Sequence, residues 1–254
     1  MRILLQATDL TKTFGAEQNQ KITVLNSINL GIEEGEFVAI MGQSGSGKST
    51  LLYNISGMDC MTSGEVSFDG RKYSHMSEDD MSKYRLENMG FIFQHSYLLK
   101  NLSIEDNILL PGLKLRKTSR EVLNQRAKKL MNKMGIDNVA DHDINKVSGG
   151  QLQRAAICRS LINQPKILFG DEPTGALNSS SATAVMDIMN GINQEGTTIL
   201  IVTHDAKVAA RADRVIFLSD GKITAECVLG KYKANSNTLE REEKVRDFLK
   251  NKKF

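Results

Sequence analysis

The sequence predicts an α/β fold. A parallel sheet surrounds a phosphate-binding loop, an antiparallel β subdomain accompanies it, and a helical subdomain is inserted. Three observations predict this. Gly42-Gln43-Ser44-Gly45-Ser46-Gly47-Lys48-Ser49 matches G-x-x-x-x-G-K-[ST] and lies between an apolar run and a helix start. A second apolar run ends in Asp171-Glu172, and ligand sites of parallel sheets lie at the carboxyl ends of their strands. From about residue 96 to about residue 160 the apolar spacing turns helical.

The elements follow in order. Residues 3–40 alternate short apolar runs with turns such as Glu33-Glu34-Gly35-Glu36, which reads as antiparallel sheet. Phe37-Val38-Ala39-Ile40-Met41 is a buried strand feeding the loop. The loop glycines let the backbone curl, so that successive N–H groups face phosphate oxygens. The helix beginning at Ser49-Thr50-Leu51-Leu52 adds partial positive charge there. Lys48 is the counter-charge for β and γ phosphates, and the Ser49 hydroxyl is a ligand for Mg2+. Thr50 completes the run of candidate nucleotide contacts.

Gly64-Glu65-Val66-Ser67-Phe68-Asp69-Gly70 is a short strand bounded by glycines. Residues 77–88 form a polar helix, and Phe91-Ile92-Phe93 forms a strand. Thr118 and Glu121 have capping-box spacing. Val122, Leu123, Ala127, Leu130, Met131 and Met134 then repeat at helical spacing until Gly135. Ser148-Gly149-Gly150-Gln151 opens a further helix, which stops before Pro165. A helix N-terminus built of small residues is itself an anion site. Lys166-Ile167-Leu168-Phe169-Gly170 is a strand that presents Asp171 to Mg2+ and Glu172 to the water attacking the γ-phosphate. Strand–helix–strand order continues to about residue 226, with a last turn at Asp220-Gly221.

Composition narrows the partners. The 254 residues suit one α/β domain, and a net charge of +3 carries no nucleic-acid footprint. Cys60, Cys158 and Cys227 have no metal-ligand spacing, which fits a reducing compartment. The apolar stretch at the start is too short for a signal peptide. No apolar run approaches the roughly 20 residues of a membrane span. Any transport function therefore needs a separate membrane subunit.

The three motifs together resemble the ATPase subunit of ATP-binding cassette (ABC) transporters, a P-loop NTPase, and the resemblance covers nearly the whole chain. It implies ATP as ligand and Mg2+ as cofactor. It makes Ser148, Gly149, Gly150 and Gln151 the signature that completes the ATP site of a second copy in a head-to-tail homodimer. It places Phe14 against adenine, Gln94 at the Q-loop beside Mg2+ and the attacking water, and His204 at the γ-phosphate, with Asp205 following. It implies an integral-membrane permease as partner, and hence a cytoplasmic subunit peripheral on the inner face of the membrane. Asn178 departs from the family, which has Asp at that position of the D-loop.

Within the family, Tyr84-Arg85, residues 90–94 and residues 98–111 resemble the branch containing MacB, LolD and FtsE. Residues 158–163 and 171–179 are similar to the BceA type, which supports resistance to peptide antibiotics. An FtsE-like role, regulating a membrane partner without transport, is the alternative reading. ABC ATPases that act away from membranes carry zinc motifs, coiled-coil insertions or paired cassettes, and this chain has none.

Residues 1–230 form the ATPase domain in this reading, and residues 231–254 form a helical tail. Leu239, Val245, Phe248 and Leu249 make a narrow apolar stripe there. The tail reads either as a solvated surface helix or as a docking helix for the partner or the membrane surface.

Overall fold

Alternation of apolar and polar side chains sets the first sheet. A computed structural model of the chain describes residues 2–15, 21–233 and 238–250. It opens with β1 (Ile3–Phe14), β2 (Ile22–Glu33) and β3 (Phe37–Met41). β1 pairs antiparallel with β2 and with β4 (Ser63–Phe68), and β5 (Arg71–Lys72) extends the sheet in the order β2-β1-β4-β5. Asp9 and Ser27 adopt positive φ where the pairing of β1 with β2 shifts register. Leu4, Leu5, Ala7, Leu10, Leu25 and Ile28 nevertheless stay in one core.

The second sheet contains β3, β6 (Met89–Phe93), β7 (Ile167–Asp171), β8 (Thr198–Val202) and β9 (Arg214–Ser219), all parallel. β10 (Lys222–Val228) adds an antiparallel edge, and the order is β10-β9-β3-β8-β7-β6. Asp220 and Gly221, both at positive φ, turn β9 into β10, as a two-residue hairpin requires.

β3 and β8 are buried along their whole length, which is why they read as continuous apolar runs. Successive side chains still alternate between two cores. Phe37, Ala39, Met41, Ile199 and Ile201 enter the core shared with the helices, whereas Val38, Ile40, Leu200 and Val202 enter the core shared with the antiparallel sheet. The parallel sheet is thus the wall between two layers.

Helices α1 (Lys48–Ile55) and α2 (Glu78–Asn88) lie on the antiparallel-sheet side, where Leu51, Leu52, Ile55, Met81 and Tyr84 are buried. The inserted helical part contains α3 (Ile104–Leu115), α4 (Arg120–Met134) and α5 (Gly149–Leu161). Leu123, Ala127, Met131 and Met134 face inward on α4, and Gly135 ends it in the left-handed conformation. The start of α4 corrects the sequence reading. Ser119, not Thr118, is the N-cap, accepting from Val122 N, and Leu123 N donates to Ser119 O at 3.0 Å. That start puts Leu123 in the first full turn, facing the core.

α6 (Ser179–Gln194) and α7 (Ala206–Ala209) connect the last parallel strands, and α8 (Thr238–Lys250) follows β10. The tail is a surface helix whose charged residues are mostly exposed and whose apolar stripe packs on the chain's own core. Val245 is fully buried and Leu249 is 6% exposed, in the same core as Val208 and Ala209. Phe248 meets Phe217 edge to face. Val245, Phe248 and Leu249 of the stripe pack in the chain's own core, and Leu239 stays exposed. Residues 251–254, the end of the predicted tail, lie outside the described residues. Among the described residues, no helix is long and apolar enough to cross a membrane.

Candidate functional site

Four strand ends meet at the carboxyl edge of the parallel sheet, and each carries one part of the site. β3 runs into Gly42, where a Cβ would lie 2.1 Å from Leu218 O and 2.7 Å from Ser46 Oγ. Only glycine fits there. Gly45 and Gly47 have φ of 80° and 99°, values open mainly to glycine. Gln43, Ser44 and Gly45 are exposed, Ser46 is buried, and Lys48, Ser49 and Thr50 are half-buried in the first turn of α1. Gly47 is the N-cap of α1 and supplies no side-chain acceptor. The first N–H groups of a helix have no partner within it, so this end presents free donors to an anion. Lys48 Nζ donates to Gly42 O at 2.9 Å and Gln43 O at 2.8 Å. Burial lowers the Lys48 pKa, against the opposing pull of Glu172 and Asp171.

β7 ends in the two carboxylates. Asp171 is held on both oxygens: Ser49 donates to Oδ1 at 2.9 Å and Tyr53 donates to Oδ2 at 2.7 Å. Burial, with the hydrogen bond and charge of Asp171, pushes the Tyr53 hydroxyl pKa upward, so Tyr53 stays a donor. Glu172 takes φ of 49° and donates its N–H to Val202 O, the end of β8. Glu172 takes a side-chain partner of its own, apart from those of Asp171. Its Oε1 lies 2.8 Å from His204 Nδ1. The sequence therefore brings Ser49 to Asp171, and Glu172 to His204, as two adjacent pairs.

Gln94 follows β6 and is exposed. A Cβ on Gly175 would lie 3.2 Å from Gln94 Nε2, so Gln94 faces the segment after Glu172. Ser148 caps α5 and forms a capping box with Gln151. Its Oγ accepts from Gln151 N at 3.3 Å, and Gln151 Oε1 accepts from Ser148 N at 2.8 Å. Ser148 and Gly149 are exposed, and Gly149 has open space around its Cα. Gly150 instead faces Ser181. Among the described residues, no hydrogen bond joins this cap to residues 42–50. The signature residues remain outside the pairs that the fold assembles at the phosphate loop.

Sequence comparison decides the family. Residues 25–175 match the family described as ABC transporter. The chain belongs to the ABC transporter family. It is an ATP-binding and ATP-hydrolysing cassette. It is 40% identical over 221 residues to the bacitracin export ATP-binding protein BceA of Halalkalibacterium halodurans, covering 87% of each chain. It is 42% identical over 233 residues to the macrolide export ATP-binding/permease protein MacB of Campylobacter jejuni, covering 91% of this chain and 36% of that one. The dimeric ATP-binding cassette MJ0796, bound to ADP and Pi, superposes with a TM-score of 0.82 at 37% identity, over 90% of this chain and all of that one.

Two residues of the cassette's site escaped the sequence reading. Tyr53 lies four residues after Ser49, on the same helix face, and that spacing was the available signal. Gln153 is buried on α5 and donates to Phe93 O at 2.9 Å and Pro173 O at 2.7 Å. It ties the ends of β6 and β7 together, a role invisible without the fold. Asn178 caps α6, accepting from Ser181 N at 2.9 Å. Asn and Asp cap about equally well, so this departure keeps the local structure.

Phe14 ends β1 with nearly half its surface exposed, and Lys12 Nζ sits 4.8 Å from its ring centroid. An exposed ring at a strand end is poorly used as core. Phe14→Ala is expected to weaken nucleotide binding by roughly 1–3 kcal/mol, the scale of aromatic–base stacking, with ATP and GTP affected alike. Titration with fluorescent nucleotide measures it, and equal affinity in wild type and variant returns Phe14 to a packing role.

Proposed function

We propose that two copies of this cassette close head to tail on ATP and drive a separate membrane permease that protects the cell from peptide antibiotics. The observation carrying the ATPase part is the pairing at the end of β7. Asp171 reaches Ser49 and Glu172 reaches His204 from adjacent residues of one strand end.

Residues 42–50 cradle the phosphates, and Lys48 moves from its own loop carbonyls to the β and γ phosphates. The donor set fits Mg2+, because Ser49 Oγ and an Asp171 carboxylate oxygen converge as hard oxygen ligands. Bound there with Gln94 nearby, the ion would neutralise charge on the phosphates. Glu172 accepts the proton of the attacking water, and His204, 2.8 Å away, orients Glu172 and meets the γ-phosphate. Phe14 stacks on the base. Ser148, Gly149, Gly150 and Gln151 serve the nucleotide held by the other copy, which is why they stand apart from residues 42–50. Closure driven by ATP is a population shift that favours one permease state. The chain thereby sits at the inner face of the membrane through its partner.

Similarity to BceA over 87% of both chains supports the peptide-resistance role. Deletion of this subunit is expected to sensitise its host to cell-wall-directed peptide antibiotics, and Lys48→Ala is expected to reproduce that. Sensitivity to chemically unrelated small molecules would indicate general efflux. Division or shape defects without any drug would indicate a regulator. Unchanged peptide susceptibility would overturn the role.

A further inference from the structure

We propose that the C-terminal helix α8 sets the position of His204 for hydrolysis, with Arg241 as the positioning residue. The proposal rests on the reading that His204 and Glu172 belong to the hydrolytic site.

Four backbone carbonyls converge on one guanidinium. Arg241 donates from Nε to Ala210 O at 2.8 Å and from Nη1 to Leu229 O at 3.0 Å. Its Nη2 donates to Ala212 O at 2.7 Å and to Gly230 O at 3.1 Å. Ala210 and Ala212 lie just beyond α7, where carbonyls lack intrahelical donors. A planar fork suits such a set better than a point charge does. Leu229 and Gly230 both donate their N–H groups to Asp213 O, so the other two carbonyls belong to a fixed strand end.

The path from Ala210 back to His204 is short and stiff. Asp205 caps α7 by accepting from Lys207 N at 2.8 Å, and Ala209 N donates to Asp205 O at 3.0 Å. The short helix α7 lies between His204 and the two nearer carbonyls, those of Ala210 and Ala212. Val245 and Leu249 anchor α8 in the core that also takes Val208, Ala209, Ala210 and Ala212. Tyr232 is buried with Arg211 on its ring at 4.8 Å and Arg241 at 5.5 Å. Glu242 and Arg246 of α8 line a polar cleft of about 500 Å3 that Glu172, Thr203 and His204 also line. The helix therefore contacts the segment after His204 through the carbonyls of Ala210 and Ala212 and reaches the rim of the site. The His204 side chain is largely exposed, β8 holds the backbone before it through Thr203 N and Ile40 O, and in the proposal α8 holds the α7 segment that follows it.

The test uses the full-length protein with ATP and Mg2+. Arg241→Ala is expected to lower kcat by roughly 10- to 100-fold, the scale of misplacing a catalytic group by about an ångström, while KM and nucleotide affinity hold. Arg241→Lys, which keeps the charge and stem but cannot reach four carbonyls, is expected to fall between and carries the test if the alanine variant does not fold. In histidine-labelled protein, the His204 ring resonance, assigned by its loss in His204→Ala, is expected to move in the Arg241 variants. Wild-type turnover with an unmoved His204 resonance overturns the proposal. So does an equal loss of binding and turnover that lysine fails to rescue, since that marks a merely structural residue. Near-normal turnover in His204→Ala overturns the underlying reading instead, and the two failures are told apart in one experiment.

Discussion

Glu172→Gln retains ATP binding and loses most hydrolysis. The amide preserves size and a hydrogen bond toward His204 Nδ1, now 2.8 Å from Glu172 Oε1. The backbone bond from Glu172 N to Val202 O holds the turn regardless of the side chain. The phosphate loop and the Ser49–Asp171 pair are untouched. What disappears is the carboxylate that accepts a proton, and removing a general base costs roughly 100- to 10,000-fold in rate. With turnover stopped, the ATP-bound dimer accumulates, so size exclusion with ATP and Mg2+ shifts from monomer toward dimer. Near-normal turnover in that variant removes Glu172 from the role of base.

Ser148→Arg abolishes hydrolysis and leaves ATP binding by the isolated subunit intact. Ser148 is exposed and caps α5, and no hydrogen bond links it to residues 42–50 among the described residues. Losing the cap costs about 1 kcal/mol, too little to unfold a buried helix. In the proposed head-to-tail dimer the arginine instead obstructs the anion site that serves the other copy. Mixed with Lys48→Ala, whose own nucleotide site is damaged, it recovers at most one working site per dimer. Equilibrium binding and steady-state ATPase assays on each variant and on the mixture check this. Loss of binding in the monomeric Ser148→Arg protein would refute the shared site.

The legible parts of the site are those in which chemistry is local in the chain. Lys48 and Ser49 are read from one loop, and Asp171 and Glu172 from one strand end. Phe14, Gln94 and His204 carry weak signals as single residues, and the family resemblance is what singled them out. Tyr53 was missed because an aromatic at helical spacing reads as core, although its hydroxyl holds Asp171 at 2.7 Å. The cap of α4 lies one residue beyond the reading from the sequence because Thr118 and Ser119 are adjacent candidates, and the bond from Val122 N to the Ser119 side chain chooses between them.

By itself the sequence determined the α/β fold, the phosphate loop and the order of the motifs. These depend on residue type and short spacing, which fix backbone conformation and hydrophobic period within one element. Tertiary structure alone decided three things. It set which core each face of β3 and β8 enters, because the strands are apolar on both sides. It placed Gln153 across the ends of β6 and β7, because those carbonyls are far apart in sequence. It also turned the tail inward. Leu239, Val245, Phe248 and Leu249 give the same stripe whether they meet a membrane, a partner or their own core. Which surface they cover depends on where β10 delivers the chain, and there the carbonyls of Ala210, Ala212, Leu229 and Gly230 were waiting for Arg241.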